Sequence, residues 1–148
     1  MDDLTPSELA AWRGFLRVHA ALTKDLDREL EVAHGLPLSS YEVLITLHAA
    51  PERRLRMSEL ADRTLLSRSG MTRLVDRLEK SGVVARDACG GDARGSFACL
   101  TAEGVALLRR VRPKHLADVR ERFLRHLDPD DLTQLAGVWE RLLPGATT

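Results

Sequence analysis

The chain has 148 residues, 22 basic against 22 acidic, 44% apolar and 30% charged, which fits one domain with a modest core and excludes a disordered tail. No apolar run approaches the roughly 20 residues that cross a bilayer, and the acidic start Met1-Asp2-Asp3 lacks the apolar stretch of a secretory signal. Two cysteines, Cys89 and Cys99, are too few for a disulfide scaffold, so the expected setting is a reducing cytoplasm, away from membranes, with both thiols free.

Leu9, Trp12, Leu16, His19, Leu22, Leu26 and Leu30 recur at helical spacing and predict a long helix over residues 7–33, ended by Gly35 and Pro37. Ser39 and Glu42 have the spacing of a capping box. A second helix is therefore expected over about 40–49, with Tyr41, Leu44, Ile45 and His48 on one face and Pro51 as its stop. Leu55 to Met57 reads as a short extended piece. Two short helices follow, one over 58–65 with Ser58 at its cap and one over 67–81 opened by Ser67 and closed by Gly82. The period then changes. Val83 to Ala88 reads as a strand, Gly90 to Gly95 as a turn and Ser96 to Leu100 as the returning strand. From Thr101 helical spacing returns through Leu107, Leu108, Val111, Leu116, Val119, Phe123 and Leu127, with a kink expected at Pro113. Asp128-Pro129-Asp130-Asp131 combines a cap, a first-turn proline and acid near the dipole, and starts a last helix carrying Leu132, Leu135, Trp139 and Leu142.

The stretch from Met57 to Gly82 has helix-turn-helix spacing. Ala61 sits where the two helices must cross closely, and Leu60, Leu66, Met71 and Leu74 are the side chains such a pair would bury. At about 100° per residue, Met71, Leu74, Val75 and Leu78 cluster on one face of the second helix, while Ser69, Thr72, Arg73, Asp76 and Lys80 lie opposite. A recognition helix reads base edges from its amino-terminal half. Ser69, Thr72 and Arg73 are the candidates for that role, with Arg73 able to make a two-pronged contact to guanine. Ser67 and Arg68 stand at the helix start, where a phosphate is favoured, and Asp76 would orient Arg73, Lys80 or an arginine of the hairpin. A solvated amphipathic helix would show the same two faces. The basic hairpin that follows at once favours a winged helix, with Arg94 at a glycine-rich tip able to enter a minor groove.

Charge supports this division. Residues 1–52 hold four basic and nine acidic groups, net −5; residues 53–94 hold ten and six, net +4; residues 95–148 hold eight and seven, net +1. Arginine supplies 19 of the 22 basic residues, and its fork suits phosphates and base edges.

The run Asp92-Ala93-Arg94-Gly95-Ser96-Phe97-Ala98-Cys99-Leu100-Thr101-Ala102-Glu103-Gly104 resembles the wing signature of the MarR family of transcriptional regulators, D-x-R, a strand, then L-T-x-x-G. Ser58-Glu59-Leu60-Ala61 and Thr72-Arg73-Leu74-Val75-Asp76-Arg77-Leu78-Glu79 are similar to that family's DNA-binding helices. Ser96 and Ala98 depart from it, being smaller than the β-branched residues usual in that strand. The resemblance implies a mainly helical winged helix-turn-helix fold with a small β-hairpin wing. It implies a triangular homodimer built from a dimerisation helix over 1–36 and dimerisation helices over 102–148, around a DNA-binding domain over 37–101. It also implies a non-enzymatic regulator, most simply a repressor, bound to a pseudo-palindromic operator in double-stranded DNA. On the recognition helix the implied DNA-binding residues are Ser67, Arg68, Ser69, Thr72, Arg73, Arg77 and Lys80. On the wing they are Arg86, Asp92 and Arg94, with Arg94 in the minor groove and Asp92 holding either that arginine or the recognition helix in place. Arg86, Arg77 and Arg63 rank lower, as phosphate contacts.

His19 and His48 lie on apolar stripes near Trp12, Phe15 and Tyr41, which reads either as a crevice for a small aromatic ligand or as ordinary core and dimer packing. The histidines at 19, 34, 48, 115 and 126 show no metal-ligand spacing, and no cofactor is expected. Cys89 and Cys99 flank the wing, and a redox switch there is the alternative to plain reduced thiols. No phosphate loop or catalytic motif is present in the sequence. Beside ligand release, two alternatives stay open: a metal- or redox-gated regulator of the same fold, and a winged helix used for protein contact.

Overall fold

The computed structural model describes residues 3–64, 66–86 and 97–147. It is mainly helical. In chain order the elements are α1 (Pro6–His34), α2 (Leu38–Ala49), a 3-10 turn (Pro51–Arg53), β1 (Arg54–Arg56), α3 (Met57–Asp62), α4 (Arg68–Lys80), β2 (Val84–Arg86), β3 (Phe97–Leu100), α5 (Ala102–Arg122), a 3-10 turn (Leu124–His126) and α6 (Pro129–Leu142). The chain divides into two compact units, Met1–Leu22 with Leu116–Thr148, and Thr23–His115. No described helix is long and apolar enough to cross a membrane.

The Thr23–His115 unit holds the core. Leu30, Leu44, Leu47, Leu60, Met71 and Leu74 are essentially inaccessible, and each such side chain contributes about 1.5–3 kcal/mol by leaving water. α2 buries Leu38, Tyr41, Val43, Leu44 and Leu47 and is wrapped on most sides. It begins at Leu38, ahead of the expected capping box, so Ser39 is inside the helix rather than capping it. Pro37 presets the entry with φ −59°, and the Leu38 N–H is satisfied by Asp27 Oδ1 on α1 at 2.8 Å. α3 likewise starts earlier than expected, with Ser58 inside it. There the Glu59 carboxylate accepts the Arg56 N–H at 3.0 Å.

The sheet has three strands in the order β1-β3-β2, both pairings antiparallel. The extended piece around Leu55 is thus the wing's third strand. Leu55 stands opposite Ala98, and Val84 opposite Leu100, all facing the core. α4 ends in a Schellman closure: Gly82, at φ +78°, donates to Glu79 O, and Val83 N donates to Leu78 O.

The L-T-x-x-G segment has a mechanical reason. The Thr101 hydroxyl donates to Gly82 O at 2.7 Å and accepts from Gly104 N at 3.1 Å, so it joins the end of α4 to the start of α5. Gly104 lies so close to the strand that a Cβ there would meet Val83 O at 2.3 Å and Leu100 Cδ1 at 2.5 Å. α5 runs through Pro113 to Arg122.

In the other unit α6 is capped as its sequence demands. Asp128 Oδ1 accepts Asp131 N at 2.8 Å, Asp131 Oδ2 accepts Asp128 N at 3.1 Å, and Pro129 opens the helix. α6 buries none of its residues, and Trp12, Phe15, Leu16, Val18, Leu132 and Leu142 stay exposed.

Candidate nucleic-acid interface

α4 shows the two faces its sequence encodes. Met71, Leu74, Val75 and Leu78 are buried. Ser67, Arg68, Ser69, Thr72, Arg73, Arg77 and Lys80 are all exposed. Ser67 is the N-cap: its Oγ accepts Gly70 N at 3.1 Å and lies 3.3 Å from Ser69 Oγ. That leaves the Arg68 and Ser69 N–H groups at the helix end, where an anion is stabilised by the dipole. Thr72 Oγ1 donates to Arg68 O at 3.0 Å, which fixes its rotamer and leaves its lone pairs outward. α3 packs beneath through Leu60 and Ala61 and is closed by Thr64, whose hydroxyl reaches Leu60 O and Ala61 O.

Arg86, expected among the DNA contacts of the wing, stands at the end of β2. Its register opposite Ala98 turns it to the inner face of the sheet, toward α4. There Nη2 lies 2.8 Å from Asp76 Oδ1 and 3.3 Å from Thr72 O, while its own N–H donates to Glu79 Oε2 at 2.8 Å. One wing residue therefore engages both acidic side chains of α4, and Asp76 orients an arginine of the hairpin. Glu79 was not distinguished by its sequence position; its spacing of seven from Arg86 is meaningful only once the chain has turned. By contrast, Arg68, Arg73, Arg77 and Lys80 make no ion pair among the described residues. The helix thus offers four cations outward and holds its two carboxylates against the wing.

The wing tip expectations, Asp92 and Arg94, fall on residues 87–96, outside the described residues, as does Cys89. Cys99 corrects the free-thiol expectation. It is disulfide-bonded and 3% exposed on β3. Its position in the sequence does not distinguish a reduced thiol from a bonded one. Arg63 is exposed at the C-cap of α3.

The aromatic residues separate into two groups. In the Met1–Leu22 and Leu116–Thr148 unit, Phe15 lies 6.3 Å from Trp12, 6.2 Å from His19 and 5.6 Å from Trp139, along an apolar groove of about 830 Å³. In the other unit Tyr41 is buried with its ring 4.3 Å from that of His115, and burial pushes its phenol pKa up against the opposing charge of Arg112. His48 is half-buried on α2. No cluster of three metal-ligating side chains occurs among the described residues.

Comparison with known proteins gives this geometry a family. The MarR family model matches residues 34–95. The solved structure of AbsC, a MarR family transcriptional regulator from Streptomyces coelicolor, is 38% identical, with a TM-score of 0.85 over 96% of this chain and 95% of that one. The chain belongs to the MarR family. A second member from that organism, Sco3205, was solved in complex with DNA; it is 39% identical, with a TM-score of 0.85 over 99% of this chain and 94% of its own. The transcriptional regulator MhqR of Bacillus subtilis is 27% identical over 118 residues, 80% of this chain and 79% of MhqR. MarR membership makes the chain a DNA-binding regulator of transcription rather than an enzyme, with the mainly helical winged-helix fold that its sequence resembles. The matched stretch of the family model includes α2, α3, α4 and β2, the elements that hold the exposed cationic helix.

Proposed function

We propose that the chain acts as a homodimeric repressor that reads a pseudo-palindromic operator in double-stranded DNA. The observation that carries this reading is the outward face of α4: Ser69, Thr72 and Arg73 stand exposed at its amino-terminal half, above a rigid apolar base. Arg73 makes the bidentate contact to guanine, Ser69 and Thr72 read neighbouring base edges, and Ser67, Arg68, Arg77 and Lys80 bind phosphates. Arg94 enters the minor groove, steadied by Asp92, and Arg86 serves the site by position rather than by contact. Residues 37–101 form the DNA-binding domain, while the segments 1–36 and 102–148 make the dimer, with the exposed Trp12, Phe15 and Leu142 covered by the second copy. A two-fold dimer places its half-sites about 34 Å apart. A small aromatic ligand releases the operator by favouring a dimer with different helix spacing. The setting is the cytoplasm, and no cofactor is needed for DNA binding.

Selection of duplexes from a random pool at two salt concentrations tests the reading. An enriched inverted repeat is expected, relaxed at one position in the Arg73→Ala variant and bound less tightly at high salt through counterion release. No enrichment at either salt would make the winged helix a protein-contact module.

Redox gating has one observation in its favour, the disulfide at Cys99 on the strand that carries the wing. In a reducing compartment such bonds are transient and regulatory. A dithiol reductant would supply two electrons and two protons and leave two thiols. Operator affinity measured before and after reduction, against a Cys99→Ser variant, tests this: equal affinities in all three samples exclude it.

A further inference from the structure

The wing's returning strand is held on its two sides to unequal reach. β2 pairs with β3 as far as Arg86 opposite Ala98, whereas β1 pairs one residue further out, Arg56 opposite Phe97. Phe97 is the first residue of β3, and the chain reaches it from residues 87–96, which carry Asp92 and Arg94. Among the described residues, β1 alone therefore fixes the outer end of the strand.

Backbone pairing gives β1 a weak hold. The strand has three residues, and in pieces this short the cross-strand side-chain pairs carry much of the stability. Leu55 faces the core, so Arg54 and Arg56 share the opposite face with Phe97. Their guanidinium carbons lie 4.2 and 4.7 Å from the centroid of its ring, inside the roughly 6 Å range of a cation–π contact. Arg54 is a partnered side chain, 20% exposed, with Glu52 Oε2 at 3.9 Å, so it acts as a fixed wall against the ring. Arg56 directly precedes α3, the first helix of the helix-turn-helix, and its backbone N–H is held by Glu59 of that helix. A leucine at 97 would pack on the same face but offer neither arginine a π surface.

We infer that Phe97 is a positioning residue for DNA binding: through its two arginines it ties the wing's strand to the entrance of α3, so that wing and recognition helix meet the duplex in one fixed relation. Arg86 makes the matching tie from β2 to α4, and β3 joins β1 to β2. Neither the phenyl ring nor the stacked arginines need touch DNA for this. The inference rests on the DNA-binding reading above, in which Arg94 of the wing enters the minor groove.

The experiment is a double-mutant cycle on operator affinity, with Phe97→Leu and Arg94→Ala made singly and together in the full chain, each checked by its thermal melt. Phe97→Leu alone should weaken binding about fivefold or more, the scale of two lost cation–π contacts. The slope of log affinity against log salt should stay that of the wild type, because no phosphate contact is removed. Once Arg94 is gone there is no wing contact left to aim, so the same substitution should cost under about twofold. Phe97→Tyr, which keeps the π face, should restore wild-type affinity. An equal loss in both backgrounds would make Phe97 a merely stabilising residue and overturn the inference, as would wild-type binding by a folded Phe97→Leu chain. Should Phe97→Leu fail to fold, Arg56→Met at its exposed position carries the same test, with a loss of about two- to fivefold that vanishes without Arg94. An Arg94→Ala chain that binds like the wild type would instead sink the wing reading on which the inference rests.

Discussion

Replacing Arg86 by Gln separates two roles that an arginine at the base of a wing can have. The structure makes it a clasp: 2.8 Å to Asp76, 3.3 Å to the Thr72 carbonyl, and a backbone bond to Glu79 that the substitution leaves in place. The side chains of Arg86 and Asp76 are 24% and 51% exposed, so solvent screening limits the pair to about 0.5–1 kcal/mol. For a chain of this size each kcal/mol moves the melting temperature by about 2–4 °C, which gives an expected fall of about 1–4 °C. If the same energy is lost in holding wing and helix in register, operator affinity falls about 2–5-fold. The decisive readout is the salt dependence, which should stay that of the wild type, because no phosphate contact has been removed. A double-mutant cycle with Asp76→Asn should recover a coupling of similar size. A salt slope lower by about 0.9 with an unchanged melt would refute the clasp and return Arg86 to the phosphate contacts.

Three further outcomes follow from the geometry. Gly104→Ala should destabilise by about 1–3 kcal/mol in chemical denaturation: a Cβ 2.3 Å from the Val83 carbonyl forces α5 off the sheet and disturbs the Thr101 cap, outweighing the roughly 1 kcal/mol gain in helix propensity; a variant as stable as wild type would show that the close approach is absent. Trp12→Glu places a charge on the exposed aromatic face of α1 and should yield a monomer in sedimentation with much weaker operator binding, whereas an intact dimer would move the interface elsewhere. Tyr41 is the only tyrosine in the chain, and burial raises its pKa. Its proton is therefore lost from the unfolded chain first, so its contribution is intact below the ordinary phenol pKa and declines as pH rises through that value toward the folded one. Tyr41→Phe should flatten the fall in melting temperature as pH rises above about 10; parallel profiles would show that Tyr41 is not desolvated.

What was legible in the sequence is what local rules determine. α4 was readable because its buried stripe, its Ser67 cap and its Gly82 closure all lie within the helix or next to it. α6 was readable for the same reason at Asp128. The features that escaped depend on contacts across the chain. Asp27 caps α2 from eleven residues away, so the better-spaced Ser39 and Glu42 looked like the cap. β1 is legible only as an extended piece from Leu55 to Met57; that it joins the sheet as a third strand depends on β3 pairing with it. The direction of Arg86 depends on the register of β2 against β3, which composition cannot convey. The state of Cys99 is likewise a matter of proximity rather than pattern.

A net charge of zero is a poor guide to partners here, for a reason the site makes concrete. At physiological ionic strength a charge is screened within about 8 Å, so DNA against α4 senses the groups on that surface and little of the net −5 carried by residues 1–52. Asp76 and Glu79 would halve the field of Arg68, Arg73, Arg77 and Lys80 if they pointed outward. Both instead face β2, one held by the Arg86 guanidinium and the other by its backbone N–H. The wing therefore does more than extend toward a groove: its first strand sets the Arg86 cation against Asp76, and the local positive potential of the helix is higher with that strand in place.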